Sequence, residues 1–134
     1  MKLRKTARAM VLVVGIGVLT ACTDDGTGVH ADLNGTWVGA FPTGGELKLV
    51  LQHSGTEVWG PGIITDALGT GSLQAFGSWA SAQLELTMEL APRDLDPDPC
   101  EAGLTGKLTT PDRLEGRFTD CDTNVPITLT RDPN

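Results

Sequence analysis

Leu84, Leu86, Met88 and Leu90 alternate with Gln83, Glu85, Thr87 and Glu89, and this two-residue period constrains the fold more than any other feature of the chain. Successive side chains of a strand point to opposite faces, so the run places four apolar groups on one side and polar groups on the other. A helix would scatter the same residues around its circumference. Leu47, Leu49 and Leu51 repeat the pattern against Glu46, Lys48, Val50 and Gln52. Turn chemistry separates the alternating segments: Pro42-Thr43-Gly44-Gly45, Ser54-Gly55, Ala67-Leu68-Gly69, Ser81, Thr110-Pro111-Asp112 and Asp122-Thr123-Asn124, with a longer polar stretch over 93–99.

These signals predict eight strands, over 35–41, 46–53, 57–64, 71–79, 83–91, 101–109, 113–121 and 125–131. Short connections make consecutive strands antiparallel neighbours, and a meander of this size can remove its exposed edges by closing. The expected fold is all-β, an eight-stranded antiparallel up-and-down meander barrel, with a two-sheet β-sandwich of the same strands as the alternative. Gly60, Gly62, Gly77, Gly106 and Gly116 suit the bends that a small barrel needs.

The N-terminal segment has a different character. Lys2, Arg4, Lys5 and Arg8 precede an apolar run over 9–19, which ends in Leu19-Thr20-Ala21-Cys22. The run is about half the roughly 20 apolar residues that span a bilayer core, so a permanent transmembrane helix is not expected. The segment resembles the signal peptide and lipobox of bacterial lipoproteins, in which the cysteine thiol receives diacylglycerol, the preceding peptide is cut, and the new amino terminus is often acylated. The resemblance implies a cleaved signal peptide over 1–21, lipidation at Cys22, and an extracytoplasmic place in the cell envelope, held to the membrane through the lipid anchor. Thr23 stands where an aspartate would resemble an inner-membrane retention signal, which favours the outer membrane. The small, polar stretch over 22–33 reads as a flexible tether, and 34–134 as the barrel domain.

Removing 1–21 takes away four basic residues and no acidic ones, leaving six against seventeen and a formal charge of −11 over 113 residues. So acidic a surface argues against nucleic acid and against direct adhesion to anionic headgroups. Attachment then falls to the acyl chains, each buried CH₂ of which is worth about 0.8 kcal/mol. With Cys22 modified, Cys100 and Cys121 remain as an even pair in an exported protein and are expected to form a disulfide. A zinc site is the alternative, but His30 and His53 lie at no ligand spacing from either cysteine. If Leu104, Leu108, Leu114 and Phe118 face the core, Cys121 has solvent-facing parity. The bridge therefore requires a bulge or a strand end, and is expected at the barrel rim.

Asn34-Gly35-Thr36-Trp37 resembles the Gly-x-Trp start of lipocalin and avidin-type barrels, the calycin group, and Leu129-Thr130-Arg131 is similar to the last-strand arginine that packs over that tryptophan in lipocalins. The resemblance implies that Trp37 and Arg131 close one barrel end. The avidin biotin site does not carry over, since the chain has no tyrosine. Phe41, Trp59, Phe76 and Trp79 are the candidates for lining an open barrel end and holding a small apolar ligand by area burial. Ordinary core and rim packing is the competing reading.

Catalytic candidates do not accumulate. His53 adjoins Ser54, but neighbours on a strand point to opposite faces, and no Gly-x-Ser-x-Gly elbow occurs. Asp94, Asp96 and Asp98 imitate the start of an EF-hand loop without its glycine or its final glutamate. Glu85 with Glu89, or Asp66 with Glu57, carry no specificity as an acid and base on a surface this acidic. The sequence therefore predicts no enzyme, no catalytic residues, no cofactor and no metal. Two functions remain: a lipid-anchored barrel that binds or carries a small apolar ligand, or an envelope-associated accessory or inhibitor module that binds a protein partner and no ligand.

Overall fold

The computed structural model describes residues 32–133; the expected signal peptide, Cys22 and the expected tether up to residue 31 lie outside the described residues. Eight strands follow one another: β1 (Gly35–Ala40), β2 (Glu46–Ser54), β3 (Glu57–Asp66), β4 (Gly69–Ala80), β5 (Gln83–Leu90), β6 (Ala102–Thr110), β7 (Arg113–Thr119) and β8 (Asn124–Arg131). Each pairs antiparallel with the next, and β8 returns to β1 through Trp37 opposite Arg131 and Val38 opposite Thr130. The sheet is thus a closed up-and-down barrel and not a two-sheet sandwich. Closure leaves no strand with an unpaired edge.

The alternation seen in the sequence becomes the inside and outside of this cylinder. Leu47, Leu49 and Leu51 of β2, Leu84, Leu86 and Met88 of β5, and Ala102, Leu104 and Leu108 of β6 are all buried, while their sequence neighbours are exposed or half-buried. Trp37, Leu114, Phe118, Ile127 and Leu129 complete the interior. Burying each such side chain stabilises the fold by about 1.5–3 kcal/mol, offsetting the entropy lost in ordering long non-local pairings. Glycine permits the tightest approaches: a Cβ on Gly60 (φ +155°) would lie 1.9 Å from the Val50 carbonyl oxygen, and one on Gly77 1.8 Å from that of Glu85.

At one end of the barrel β7 stops at Thr119 and β6 starts at Ala102, so Cys100 and Cys121 both lie just beyond the paired strands. Their disulfide bridges Cα atoms 5.9 Å apart. The strand end resolves the parity conflict at this rim. The same end holds Phe41 and Phe118 in an edge-to-face contact with centroids 5.0 Å apart.

Candidate functional site

The opposite end is closed by the first residues of the barrel domain. Trp37 has no exposed surface, and its indole Nε1 donates to the Leu33 carbonyl at 3.0 Å. The Arg131 guanidinium lies 4.4 Å over the ring centroid, a cation–π geometry worth about 0.5–2 kcal/mol. Arg131 also donates to the Asp32 carbonyl at 2.7 Å, to the Pro111 carbonyl at 3.0 Å, to the Asp112 carboxylate at 3.0 Å and to the Asn34 carbonyl. Leu33, which the sequence places in the tether, is completely buried here. An apolar side chain beside Trp37 can fill the barrel mouth whatever its polar neighbours suggest.

His53 belongs to this closure. Its Nδ1 accepts from the Leu33 amide at 3.3 Å, and its Nε2 lies 2.9 Å from the Gly55 carbonyl. Donation to that carbonyl leaves Nδ1 as the acceptor. The Asn34 amide clamps the adjoining backbone, accepting from His53 N at 3.0 Å. Hydrogen bonds from the Asn34 side chain and amide hold the Asp32 carboxyl below its ordinary value of 3.8, with the Arg131 guanidinium adding to the effect. This cluster is a structural latch.

The structure separates the four aromatic residues that the sequence groups at one barrel mouth. Phe41 is buried at the disulfide end, and Trp79 is half-buried with inward parity at the Trp37 end. Trp59 and Phe76 are direct cross-strand partners on the outside of the barrel, next to the buried Val58 and Ala75. Parity decides the outcome: Val58, Gly60, Gly62 and Ile64 form the inward set of β3, so Trp59 must point out. On β4 the outward neighbours of Phe76 are Gln74 and Ser78, a polar set that signals its exposure.

The middle of the barrel is filled. Leu49, Leu84, Leu104, Leu114, Leu129, Ala75 and Met88 have no exposed surface at all. A void large enough for water against these side chains would leave part of their surface accessible. Ligand space in the interior therefore requires moving leucines.

Asp94, Asp96 and Asp98 form no metal centre with their surroundings; among the described residues no three His, Cys, Asp or Glu side chains converge. Asp96 instead turns back on Arg93, exchanging both backbone hydrogen bonds with it. Arg93 is a clasp. Its nearly buried side chain reaches the Asp66 carboxylate and the Gly69 carbonyl at 2.9 Å, with Asp96 at 3.6 Å. It pins the 91–99 connection to the β3–β4 turn, beside an open cleft of about 560 Å³ formed by residues 68–72 and 91–95. Glu57, Glu85 and Glu89 are exposed on the outer wall.

That wall has two unlike halves. The outward residues of β1–β4 include Val38, Val50, Trp59, Pro61, Ile63 and Phe76, with Lys48 in their midst and Glu46 and Glu57 at the starts of β2 and β3. Val50, Ile63 and Phe76 are 41%, 47% and 43% exposed, open for large apolar side chains on three successive strands. On β5–β8 the outward residues include Glu85, Glu89, Lys107, Arg113, Glu115 and Arg117, with Arg113 paired to Glu115 at 2.8 Å. In comparison with known proteins, the chain matches no family model and no curated sequence.

Proposed function

We propose that this protein is an extracytoplasmic lipoprotein, held in the outer membrane by acyl chains on Cys22, whose calycin-type barrel works through its outer surface as an accessory or inhibitor module for an envelope protein. The observation that carries this reading is the filled interior: Leu47 and Leu49 of β2, Leu84 of β5, Leu104 of β6, Leu114 of β7 and Leu129 of β8 have no accessible surface. A carrier needs an enclosed apolar space of some hundreds of Å³, whereas this barrel spends its inner volume on its own side chains. The disulfide and the closed ladder suit a rigid platform that presents charged groups on β5–β8. No catalytic role is proposed, because the one histidine among the described residues and the Arg93 clasp are committed to internal contacts.

Native mass spectrometry of the membrane-extracted protein tests the reading, together with photo-crosslinking from positions 85 and 117 in intact cells. The expected result is a mass equal to the processed chain plus its acyl groups, and one dominant crosslinked protein. A co-purifying apolar molecule that leaves on unfolding, with no crosslinked partner, would favour the carrier instead.

A further inference from the structure

Val50, Pro61 and Ile63 lie on adjoining rows of the outer wall, and the Trp59–Phe76 pair sits diagonally beside them. The rows run continuously because the pairing of β2 with β3 keeps one register from Leu49 opposite Gly62 to Gln52 opposite Trp59. The middle of this wall carries a single charge, Lys48 beside Ile63, on a protein whose sequence has seventeen acidic residues; Glu46 and Glu57 stand at its two edges, at the starts of β2 and β3.

The chain enters the barrel at the start of β1, between β2 of this wall and β8, whose Arg131 holds the Asp32 and Asn34 carbonyls. Asn34 hydrogen-bonds the backbone of His53, and the next residue on β2, Gln52, pairs with Trp59. The chain therefore joins the barrel about two strand spacings from the centre of the wall, roughly 10 Å. Nine residues lie between Cys22 and Asp32, so the ten steps from one to the other span at most about 35 Å of fully extended chain. A lipid at Cys22 would thus hold an apolar, aromatic-bearing face within reach of the headgroup region at high effective concentration. An indole and a phenyl ring flanked by aliphatic groups and a lysine suit that boundary, where rings bury their apolar bodies and a lysine ammonium stays in water.

We propose that the outer wall of β1–β4, through Val50, Trp59, Ile63 and Phe76, is a membrane-docking face that lays the anchored barrel against the lipid interface. The inference rests on lipidation at Cys22. Docking directs the outer wall of β5–β8 away from the bilayer, toward a partner.

The test uses the full processed protein in phosphatidylcholine vesicles whose acyl chains carry bromine, a short-range quencher of tryptophan fluorescence. Mass spectrometry of the Cys22 peptide reports lipidation separately. The expected result is strong quenching that falls at least fivefold in Trp59→Phe and at least twofold in the double variant Ile63→Thr/Phe76→Thr, while Glu85→Gln on the far wall behaves as wild type. Thermal unfolding shows that the variants remain folded. Quenching that is the same in wild type and Trp59→Phe, with Cys22 acylated, overturns the docking face and leaves the anchor standing. A Cys22 peptide without acyl chains overturns the anchor and the tethered docking with it. An unquenched Trp59 together with a dimeric mass identifies a second copy of the chain as the occupant and also overturns the proposal.

Discussion

Seen from inside, the two halves of the barrel are interchangeable: Leu47, Leu49 and Leu51 of β2 fill the first half as Leu84, Leu86 and Met88 of β5 fill the second. Seen from outside they differ, with Val50, Trp59, Ile63 and Phe76 on β1–β4 and Glu85, Glu89, Lys107 and Arg117 on β5–β8. The interior is bound by volume and must be apolar throughout. The exterior needs only enough polarity to stay soluble, so its residues can follow use. An apolar exterior on one half alone cannot come from the demands of folding, which both halves meet in the same way.

Core truncation should break the molecule without regard to half. Leu49→Ala and Leu104→Ala each remove a side chain with no exposed surface, and each should cost about 2–5 kcal/mol in urea unfolding. A single transition is expected for both variants, because the closed ladder couples every strand; two transitions would mean that the halves fold separately. Replacing Cys100 and Cys121 by serine should cost about 3 kcal/mol through the loop they close, the stabilisation of a chain-entropy model. Amide exchange should then rise first at the ends of β6 and β7.

Smaller effects sharpen the contrast. Asp66→Ala leaves the nearly buried Arg93 with Asp96 as its remaining carboxylate, and should cost about 1–3 kcal/mol. Its signature is faster proteolysis within the 91–99 connection. Ile63→Thr and Phe76→Thr should leave stability within about 0.5 kcal/mol; a large loss on chemical unfolding would mean that these residues serve the fold and not a docking surface. The smallest effect is at Asp32, whose carboxyl is held below 3.8 by Asn34. Because the folded value is lowered, its stabilisation is present above that ordinary value and disappears as pH falls through the lowered one. Asp32→Asn should remove that small acid-limb contribution, read in thermal melts taken from pH 5 down to pH 2.

The strands were legible because alternation and turn residues agree along most of the chain. Both β5 and its expected counterpart begin at Gln83, and β7 and its counterpart begin at Arg113. Leu33 was not legible, since one leucine among polar residues carries no period, and its burial depends on the Trp37 indole and the barrel mouth it fills. β3 shows the other limit. Val58, Gly60, Gly62 and Ile64 are no more apolar than Trp59, Pro61 and Ile63, so either set could have faced inward. The neighbours resolve it, because β2 and β4 must present Leu49 and Leu73 to the same interior as Gly62.

By itself, the sequence determined that this chain folds as a meander of eight short strands with one apolar face, for the local reason that side chains alternate along a strand and glycine, proline and aspartate interrupt it. Only the tertiary structure decided that the meander closes, that its interior is filled, and that Trp59 and Phe76 stand outside while Phe41 stands within. Those outcomes depend on strand register and on the volume left at the centre. Both arise between residues far apart in the chain, where no local pattern records them.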